Sequence, residues 1–265
     1  MIGRLYDRIR RSFADGTRRL RRGATDPIAG FLGEHVRGGQ CVFDVGANVG
    51  EYTGLMSKLV GPTGAVYAFE PNPAIWGLFE ARVSTRNVHL QRHALSDSVS
   101  ASCAFFVDVR EGMLAVASSL NHLDGLHAAG QARAISVPTT TIDAFCLGEH
   151  VTPDLIKIDV EGHELQVIRG AAETLNRCRP ILVFEFWETW WDRGVRLIFD
   201  FLRDHYRLVR LQDGETVNDF YYSQCRDGCV DIACLPRADK RAQALDAALL
   251  RSDRADAHAS PVERR

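Results

Sequence analysis

Long hydrophobic segments are missing from this chain of 265 residues. It contains no run of about 18 or more apolar residues, which is the length that a membrane-spanning helix requires. Its basic N-terminus is not followed by the uninterrupted apolar stretch of a secretory signal. These absences predict a cytoplasmic protein that has no transmembrane segment.

Paired cysteine motifs are missing as well. The chain has seven cysteines, an odd number, and no two of them form a C-x2-C pair. The one cluster, Cys225, Cys229 and Cys234, has no histidine nearby, so we interpret it as ordinary strand or turn cysteines and not as a metal site. Reduced, packed thiols agree with a cytoplasmic location.

The chain also lacks a large excess of one charge sign, because its formal net charge is only −2. Residues 1–22, however, carry eight arginines and two acids, a charge of +6, which leaves −8 for the rest. An acidic body is unsuited to wrapping nucleic acid, whose binding depends on neutralising phosphates. The basic segment, residues 1–25, is either a solvated leader or a contact for an anionic membrane surface or an acidic partner.

Short apolar runs alternate with helical patterns over residues 26–236. The predicted strands are residues 41–44, 65–70, 88–94, 155–159, 181–186, 207–211 and 230–235, and the predicted helices are residues 26–37, 51–60, 73–84, 164–176 and 195–205. This alternation predicts an α/β domain with a doubly wound, Rossmann-like and mostly parallel seven-stranded sheet that has helices on both faces. We expect residues 98–138, which hold two strand-like runs, to be an insertion or lid, and residues 237–265 to be a helical or frayed tail.

A glycine-bearing turn follows the first predicted strand and leads into a helix with free N–H groups. Its residues are Gly46, Ala47, Asn48 and Gly50. Glu70 ends the next strand, 20 residues after Gly50, where nucleotide-binding α/β folds bind ribose hydroxyls. Asp44, at the end of the first strand, would repel a pyrophosphate but attract the cationic S-adenosylmethionine (SAM). The pattern favours SAM over NAD, and the alternative is a tight turn without a ligand.

A second motif has charged side chains at the end of a buried strand. Lys157 and Asp159 are two residues apart and therefore point to one face of the sheet. Glu161, Gly162 and His163 follow in the turn above the strand, where open α/β sheets bind ligands. Burying charged groups at this place costs free energy unless they form ion pairs or take part in binding or catalysis. The alternative is a charged cap with a salt bridge.

A third polar pair, Ser96 and Asp97, follows the predicted third strand. In this architecture the position lies beside the adenine of a bound nucleoside, where the Asp97 carboxylate could accept a hydrogen bond from the exocyclic amine. The alternative is that both residues form a turn or a cap.

These motifs resemble those of the FkbM-type methyltransferase family, which has the class I methyltransferase fold. The resemblance rests on residues 43–50, 69–73 and 155–164, and extends over about residues 41–187. It implies SAM-dependent O-methylation of a hydroxyl on a sugar, a polyketide or another secondary metabolite. It also implies that Glu70 binds the ribose, that Asp97 binds the adenine, and that Asp159 lies close to the transferred methyl group. The resemblance also implies that the methionine end of SAM is bound by Asp44, Gly46, Asn48 and Gly50. The neighbouring residues Ala47, Pro71, Asn72 and Ser96 complete the predicted cofactor site.

Methylation of an alcohol calls for a general base. Asp159 is the first candidate because of its place at the strand end, and His163 is the second because a neutral imidazole suits neutral pH, although its position could turn it to solvent. Glu185, which ends the next strand, and Glu161 are further candidates. Lys157 is better interpreted as a partner that fixes a carboxylate. A magnesium ion held by Asp159, Glu161 and Glu185 is an alternative that we do not favour.

Two other classes of function are compatible with a sheet of this kind. One is an NAD-dependent oxidoreductase or a nucleotide-sugar enzyme, which the glycine pattern and Asp44 disfavour. The other is a non-catalytic SAM-binding module, which the set of Asp44, Glu70 and Asp159 disfavours. We expect a small-molecule or glycan hydroxyl as the acceptor and no nucleic acid, and the sequence carries no signal for an oligomeric state.

Overall fold

The computed structural model of the protein describes residues 26–109, 118–120, 131–187, 195–217 and 229–237. The basic segment 1–25 lies outside the described residues, as does the predicted tail 237–265 apart from Arg237. The middle of the predicted insertion 98–138 lies outside them as well.

A seven-stranded sheet forms the centre of the fold, in the order β3-β2-β1-β7-β8-β10-β9. Its strands are β1 (Cys41–Val45), β2 (Ala65–Phe69), β3 (Val88–Gln91), β7 (Leu155–Ile158), β8 (Ile181–Trp187), β9 (Tyr206–Arg210) and β10 (Cys229–Pro236). All pairings are parallel except those of β10, which runs antiparallel to both neighbours. The predicted mostly parallel sheet is confirmed.

Helices cover both faces of this sheet, as predicted. They are α1 (Pro27–His35), α2 (Glu51–Val60), α3 (Pro73–Arg82), α4 (Ile142–Glu149), α5 (Glu164–Arg169), α6 (Ala172–Arg177) and α7 (Val195–Leu202). Buried side chains of α1 and α2 pack on Val42, Val66 and Val183. The opposite face, with Phe43, Ile156 and Phe184, is covered by α4 to α7. Alternate residues of each strand therefore face different helix layers.

The start of α1 shows why this helix was predictable. Asp26 adopts an extended conformation, and its carboxylate accepts hydrogen bonds from the backbone N–H groups of Ile28 at 2.9 Å and Ala29 at 3.3 Å. Pro27 then occupies the first helical position, where its missing N–H is not needed. The helix ends at His35, two residues before the predicted end.

The prediction of one strand over residues 88–94 is wrong. β3 ends at Gln91 because its neighbour β2 ends there too, and the Glu70 N–H donates the last bond to the Gln91 carbonyl at 3.0 Å. The chain then forms β4 (Ala94–Leu95) in a second sheet of order β4-β6-β5, with β5 (Ser100–Asp108) and β6 (Ala132–Thr140). The two strand-like runs of the predicted insertion are these long antiparallel strands.

The prediction of one helix over residues 164–176 is wrong as well. The chain breaks after Arg169 into α5 and α6 because Asp143, at the start of α4, caps the second helix. The Asp143 carboxylate accepts hydrogen bonds from the N–H groups of Glu173 at 2.9 Å and Thr174 at 2.8 Å. The helix α4 itself was not predicted.

No helix in the described ranges is both long and apolar enough to cross a membrane. The carboxyl ends of β1, β2, β7 and β8 lie along one edge of the sheet, because these strands are parallel. The chain order reverses between β1 and β7, and ligands of open α/β sheets bind at such a switch point. Most predicted site residues lie at or just after these strand ends, whereas Ser96 and Asp97 follow β4 of the second sheet.

We expect Gly170→Ala to destabilise the protein. A Cβ at Gly170 would overlap the Ser96 carbonyl oxygen and meet the Thr141 Cβ at 3.2 Å, and neither backbone can move without disturbing the junction of the two sheets. Overpacking of this kind lowers the free energy of unfolding by about 1–3 kcal/mol. Urea unfolding measures the change.

Gly77→Ala is the matched control. Gly77 lies inside α3, and a Cβ there has no atom within 4 Å. The alanine should leave the free energy of unfolding unchanged or raise it by up to about 1 kcal/mol. Equal effects of the two substitutions would contradict the tight contact at Gly170.

Candidate functional site

The glycine turn after β1 is fixed to both neighbouring strands. The N–H groups of Gly46 and Ala47 both donate to the Phe69 carbonyl of β2 at 3.0 Å. On the other side, a Cβ at Gly46 would overlap the Asp159 carbonyl oxygen, and Gly46 has a φ of +75°. Only glycine fits here, so the turn lies directly against the end of β7.

Two further turn residues have left-handed backbone. Asn48 has a φ of 48° and Gly50 a φ of 81°. Gly50 precedes α2, and a Cβ there would lie 2.6 Å from Val83 and 2.9 Å from Phe79. The second glycine is therefore required by packing against α3 as well as by its backbone conformation.

Glu70 is buried at the end of β2, with 6% of its surface exposed. Its carboxylate accepts hydrogen bonds from the N–H of Asn48 at 2.9 Å and the N–H of Asn72 at 2.8 Å. Burial raises the pKa of Glu70 to about 7, although these two donors oppose the shift. The predicted ribose-binding acid thus links the glycine turn to the segment before α3.

Asn72 caps α3 through its Oδ1, which accepts from the Ala74 N–H at 3.1 Å. Its Nδ2 is buried, and no hydrogen-bond partner for this atom lies within the described part of the chain. A buried donor without a partner is uncommon and calls for an explanation such as a bound ligand. Glu70 and Asn72 therefore offer an acceptor and a donor side by side.

Asp44 does not lie at the mouth of the site, where the sequence placed it. It is fully buried between the sheet and α2. Its Oδ2 accepts a hydrogen bond from Thr53 Oγ1 at 2.6 Å, and its Oδ1 lies 3.3 Å from Lys157 Nζ. The carboxylate is turned inward because Lys157 is its cross-strand neighbour in the β1–β7 pairing.

Lys157 joins two carboxylates. Its Nζ lies 3.3 Å from Asp159 Oδ2 as well as 3.3 Å from Asp44 Oδ1, it donates to the Gly46 carbonyl at 3.3 Å, and only 2% of its side chain is exposed. The ring of Tyr52 lies over it at 5.1 Å. Burial alone would lower the pKa of Lys157, but Asp159 and Asp44 raise it above its ordinary value. Lys157 is therefore a cation that is held in place between two carboxylates, which is the role that the sequence analysis gave to it.

Asp159 is half-buried, with 28% of its side chain exposed. The following turn has left-handed backbone at Glu161, φ 55°, and Gly162, φ 93°. Glu164 holds this turn, because its Oε1 accepts from the N–H groups of Val160 and Gly162 at 3.2 Å each. Burial raises the pKa of Glu164 to about 7, and its backbone donors oppose the shift.

Glu161 and Glu185 complete the acidic edge. Ile158 pairs with Phe184, so Glu185 of β8 lies level with Asp159. The pKa of Glu161 is raised well above its ordinary value by burial first, and then by the nearby charges of Glu185 and Asp159. Asp159, Glu161, Glu185 and Lys157 therefore lie near one another, and their catalytic roles stay a prediction.

His163 is buried. The sequence analysis allowed this side chain to turn to solvent, and the structure shows that it does not. It immediately precedes α5, and its Nε2 lies 2.9 Å from Ser96 Oγ. Burial lowers the pKa of His163 to about 4, which makes it a weak base near neutral pH. Ser96 is buried too, whereas Asp97 is exposed.

The second sheet reaches the same edge. Ser119 is 1% exposed, pairs with Phe106 of β5, and donates from its Oγ to the Val160 carbonyl at 3.0 Å. Part of the predicted insertion therefore contacts the turn that follows β7. Within the described ranges, no group of three or more His, Cys, Asp or Glu residues is arranged to hold a metal ion.

Several contributing residues were not predicted as site residues. They are Tyr52, Thr53, Ser119 and Glu164. Glu164 belongs to the motif 155–164 that carried the family resemblance, so a signal for it was present, whereas Ser119 lies only within the wider range of that resemblance. Tyr52 and Thr53 lie in the first turn of α2, and only the packing of α2 on β1 reveals their contacts with Lys157 and Asp44.

Known methyltransferases are similar to this chain. The family model described as "Methyltransferase FkbM domain" matches residues 44–213, which is more than half of the chain. A curated relative is the hexuronic acid methyltransferase AglP of Haloferax volcanii, which is 27% identical over 165 residues. That match covers 61% of this chain and 62% of the relative, so the chain spans about six tenths of the relative's length.

Solved structures give weaker likenesses. The methyltransferase FkbM from Methylobacillus flagellatus KT is 14% identical with a TM-score of 0.45, over 73% of this chain and 43% of that one. A putative rRNA-methylase from Clostridium thermocellum is 11% identical with a TM-score of 0.47, over 80% and 94% of the two chains. Neither likeness adds to the evidence from the family model.

We expect Lys157→Met to lower the free energy of unfolding by about 3–5 kcal/mol, because it leaves the buried Asp44 carboxylate without its cation. Adding Asp44→Asn to that variant should restore part of the loss. Chemical denaturation of the two variants measures the coupling.

Arg177→Met is the control, because the ion pair of Arg177 with Glu173 spans 3.0 Å but both side chains are exposed. Its removal should change the free energy of unfolding by at most about 1 kcal/mol. Similar losses for Lys157→Met and Arg177→Met would show that the buried pairing is unimportant for stability.

Proposed function

The chain belongs to the FkbM methyltransferase family, and from this premise we propose that it transfers the methyl group of SAM to a hydroxyl oxygen of a sugar. The sugar acceptor is supported by the relative that is named a hexuronic acid methyltransferase. The observation that carries the proposal is the position of Asp159. Its backbone lies against Gly46 of the glycine turn, while its carboxylate reaches solvent at the ligand-binding edge of the sheet.

The residues at this edge suit SAM. Gly46 and Gly50 have no room for a Cβ, and the bare backbone at these two positions can approach a ligand closely. In this proposal Glu70 accepts hydrogen bonds from the ribose hydroxyls, which is supported by the buried Nδ2 donor of Asn72 beside it. Asp97, which is exposed beside Ser96, is our proposed partner of the adenine.

Charge also favours SAM over a dinucleotide. Two carboxylates, Asp44 and Asp159, share the ammonium group of Lys157, and the charge of Asp159 also acts on Glu161. A ligand with ammonium and sulfonium groups is attracted by carboxylates at this edge, whereas a pyrophosphate is repelled. This argument and the family match favour a methyltransferase over the oxidoreductase alternative.

The proposed role of Asp44 is indirect. A fully buried carboxylate that accepts from Thr53 and pairs with Lys157 has no surface left for the methionine end. It fixes Lys157, and Lys157 in turn holds the Gly46 carbonyl and the Asp159 carboxylate. Asp44 therefore shapes the site for the methionine end through Lys157 and the glycine turn.

In the proposed mechanism, SAM supplies an activated methyl group and the protein supplies alignment. Binding of both reactants at one edge can lower the barrier by about 7–11 kcal/mol. In this proposal Asp159 orients the acceptor hydroxyl, and the support for this role is that Lys157 fixes its carboxylate. The acids around it offer a base for the proton that the hydroxyl loses.

We further propose that residues 26–236 form the catalytic domain. Ser119 ties the second sheet to the turn after β7, which supports a role of the 98–138 region in covering the acceptor. That the acceptor is not a nucleic acid stays a prediction from the acidic charge of the body. Contact of residues 1–25 with an anionic membrane surface or an acidic partner also stays a prediction.

Calorimetric titration tests the methyl donor. We expect S-adenosylhomocysteine to bind with micromolar affinity, NAD not to bind, and Glu70→Ala to lose S-adenosylhomocysteine binding because the ribose acceptor is gone. Glu173→Gln, an exposed change on α6, is the control and should bind as the unaltered protein does.

Binding of NAD instead of S-adenosylhomocysteine would overturn the proposed donor. Binding of S-adenosylhomocysteine without turnover of any acceptor would favour the non-catalytic module. Loss of binding in both variants would point to a general loss of folding, which the thermal unfolding of each variant detects.

Transfer of a labelled methyl group tests the acceptor oxygen. With methyl-labelled SAM and a panel of hexuronic acids and neutral hexoses, we expect label in the sugar that survives mild alkali, because a methyl ether is stable there. A methyl ester on a carboxyl group would be hydrolysed. Release of the label by alkali would contradict methylation of a hydroxyl.

A further inference from the structure

Ser96 is held in place by three different parts of the fold. Its backbone N–H donates to the carbonyl of Thr140, the last residue of β6, at 2.9 Å. Its carbonyl oxygen lies so close to Gly170 that a Cβ there would overlap it. The third contact is made by its side chain, because Ser96 Oγ lies 2.9 Å from Nε2 of His163. The position of Asp97, the next residue, is therefore set by the contacts of Ser96.

The contact between Ser96 and His163 is buried. Only 7% of Ser96 and 8% of His163 is exposed. Polar groups that are removed from water need hydrogen bonds to offset the interactions with water that they lose. Burial lowers the pKa of His163 to about 4, and the charge of Asp97 opposes this shift. The imidazole is therefore neutral near neutral pH, and its contact with Ser96 is a hydrogen bond between two neutral groups.

The hydroxyl of Ser96 also reaches Asp97. Ser96 Oγ lies 3.4 Å from Asp97 Oδ1, which is a long contact. The hydroxyl has one hydrogen to donate, and an ionised carboxylate can only accept. One arrangement of hydrogens satisfies all three groups: Nε2–H of His163 donates to Ser96 Oγ, and the hydroxyl donates to Asp97 Oδ1. In this arrangement the imidazole directs the hydroxyl toward the carboxylate.

His163 stands between two parts of the predicted SAM site. It follows the turn of Glu161 and Gly162 and immediately precedes α5, whereas Ser96 and Asp97 follow β4 of the second sheet. Asp97 is exposed, so a ligand can reach its carboxylate, and the pair of side chains behind it is buried. Buried hydrogen bonds behind an exposed group are suited to hold that group in one orientation.

We propose that His163 is a positioning residue of the donor site: it fixes Ser96, and through Ser96 it orients the Asp97 carboxylate that selects the 6-amino group of adenine. This inference rests on the proposed function, because it needs SAM bound with its adenine at Asp97. It gives His163 a role other than that of a general base. In this role His163 touches neither the adenine nor the transferred methyl group.

The proposal separates the ligands S-adenosylhomocysteine and S-inosylhomocysteine, which share their ribose and amino-acid ends. Adenine presents an amine that donates to a carboxylate, whereas hypoxanthine presents a carbonyl oxygen at the same place and an N–H at N1. A fixed carboxylate faces this carbonyl oxygen and is repelled, but a carboxylate that can turn reaches the N1–H instead. The ratio of the two dissociation constants therefore reports how firmly Asp97 is held. A general loss of affinity changes both constants and leaves their ratio the same.

The experiment is calorimetric titration of the full chain with each of the two ligands at neutral pH. We expect the unaltered protein to bind S-adenosylhomocysteine about 10- to 100-fold more tightly than S-inosylhomocysteine. His163→Leu fills a similar volume but cannot form the hydrogen bond, and it should reduce this ratio roughly three- to tenfold. His163→Gln should keep most of the ratio, because its amide offers a donor and an acceptor about as far from the backbone as Nε2.

Ser96→Ala removes the same hydrogen bond from the other side, and it serves as the second variant if His163→Leu does not fold. It should reduce the ratio as His163→Leu does, and the double variant should lose no more than either single variant, because one link is removed in all three. His35→Leu is the matched control. His35 also forms a hydrogen bond, with Nδ1 3.0 Å from the Phe31 carbonyl oxygen, but it lies in α1. This variant should keep the ratio.

The outcomes separate this inference from the proposed function. Equal binding of the two ligands by the unaltered protein, or an unchanged ratio in His163→Leu and Ser96→Ala, would overturn the positioning role and leave SAM binding intact. Equal losses in His163→Leu and His163→Gln would overturn it too, because they would assign His163 a role in packing alone. Failure of S-adenosylhomocysteine to bind the unaltered protein would overturn the proposed function itself.

Discussion

The ion pairs of Lys157 with Asp44 and Asp159 are the interaction on which the site depends. Removing three charges from water is costly, and only close pairing recovers that free energy. The pairing here joins two strands and, through the Gly46 carbonyl, the glycine turn. Because the lysine contacts both carboxylates and the turn at once, it links the positions of β1, β7 and the turn.

The same pairing sets the electrostatic character of the crevice. Lys157 is shared by Asp44 and Asp159, and the charges of Glu185, Asp159 and Glu164 act together on Glu161. A surface with several carboxylates attracts a positively charged methyl donor. This attraction is a physical basis of the methyltransferase activity that we propose.

Much of the fold could be predicted from local patterns. The helix Glu51–Val60 and the cap at Asp26 have the predicted bounds and chemistry, because caps and apolar periodicity act over a few residues. The errors arose where distant contacts override such patterns. Residues 164–176 have the local pattern of one helix, but Asp143 caps a second helix within them. Residues 88–94 have the local pattern of one strand, but Ala94 and Leu95 pair with β6 in the other sheet.

By itself, the sequence determined the fold class, the glycine turn, the acid at the end of β2 and the charged motif after β7, since each depends on neighbours along the chain. Only the tertiary structure decided that Asp44 turns inward to Lys157, that His163 is buried against Ser96, and that Glu161 lies among other acids. These contacts join residues as far apart as 113 positions in Lys157 and Asp44, and strand register and helix packing decide them. Periodicity shows which face a side chain occupies, but the charge and burial around it come from elements far away in the chain.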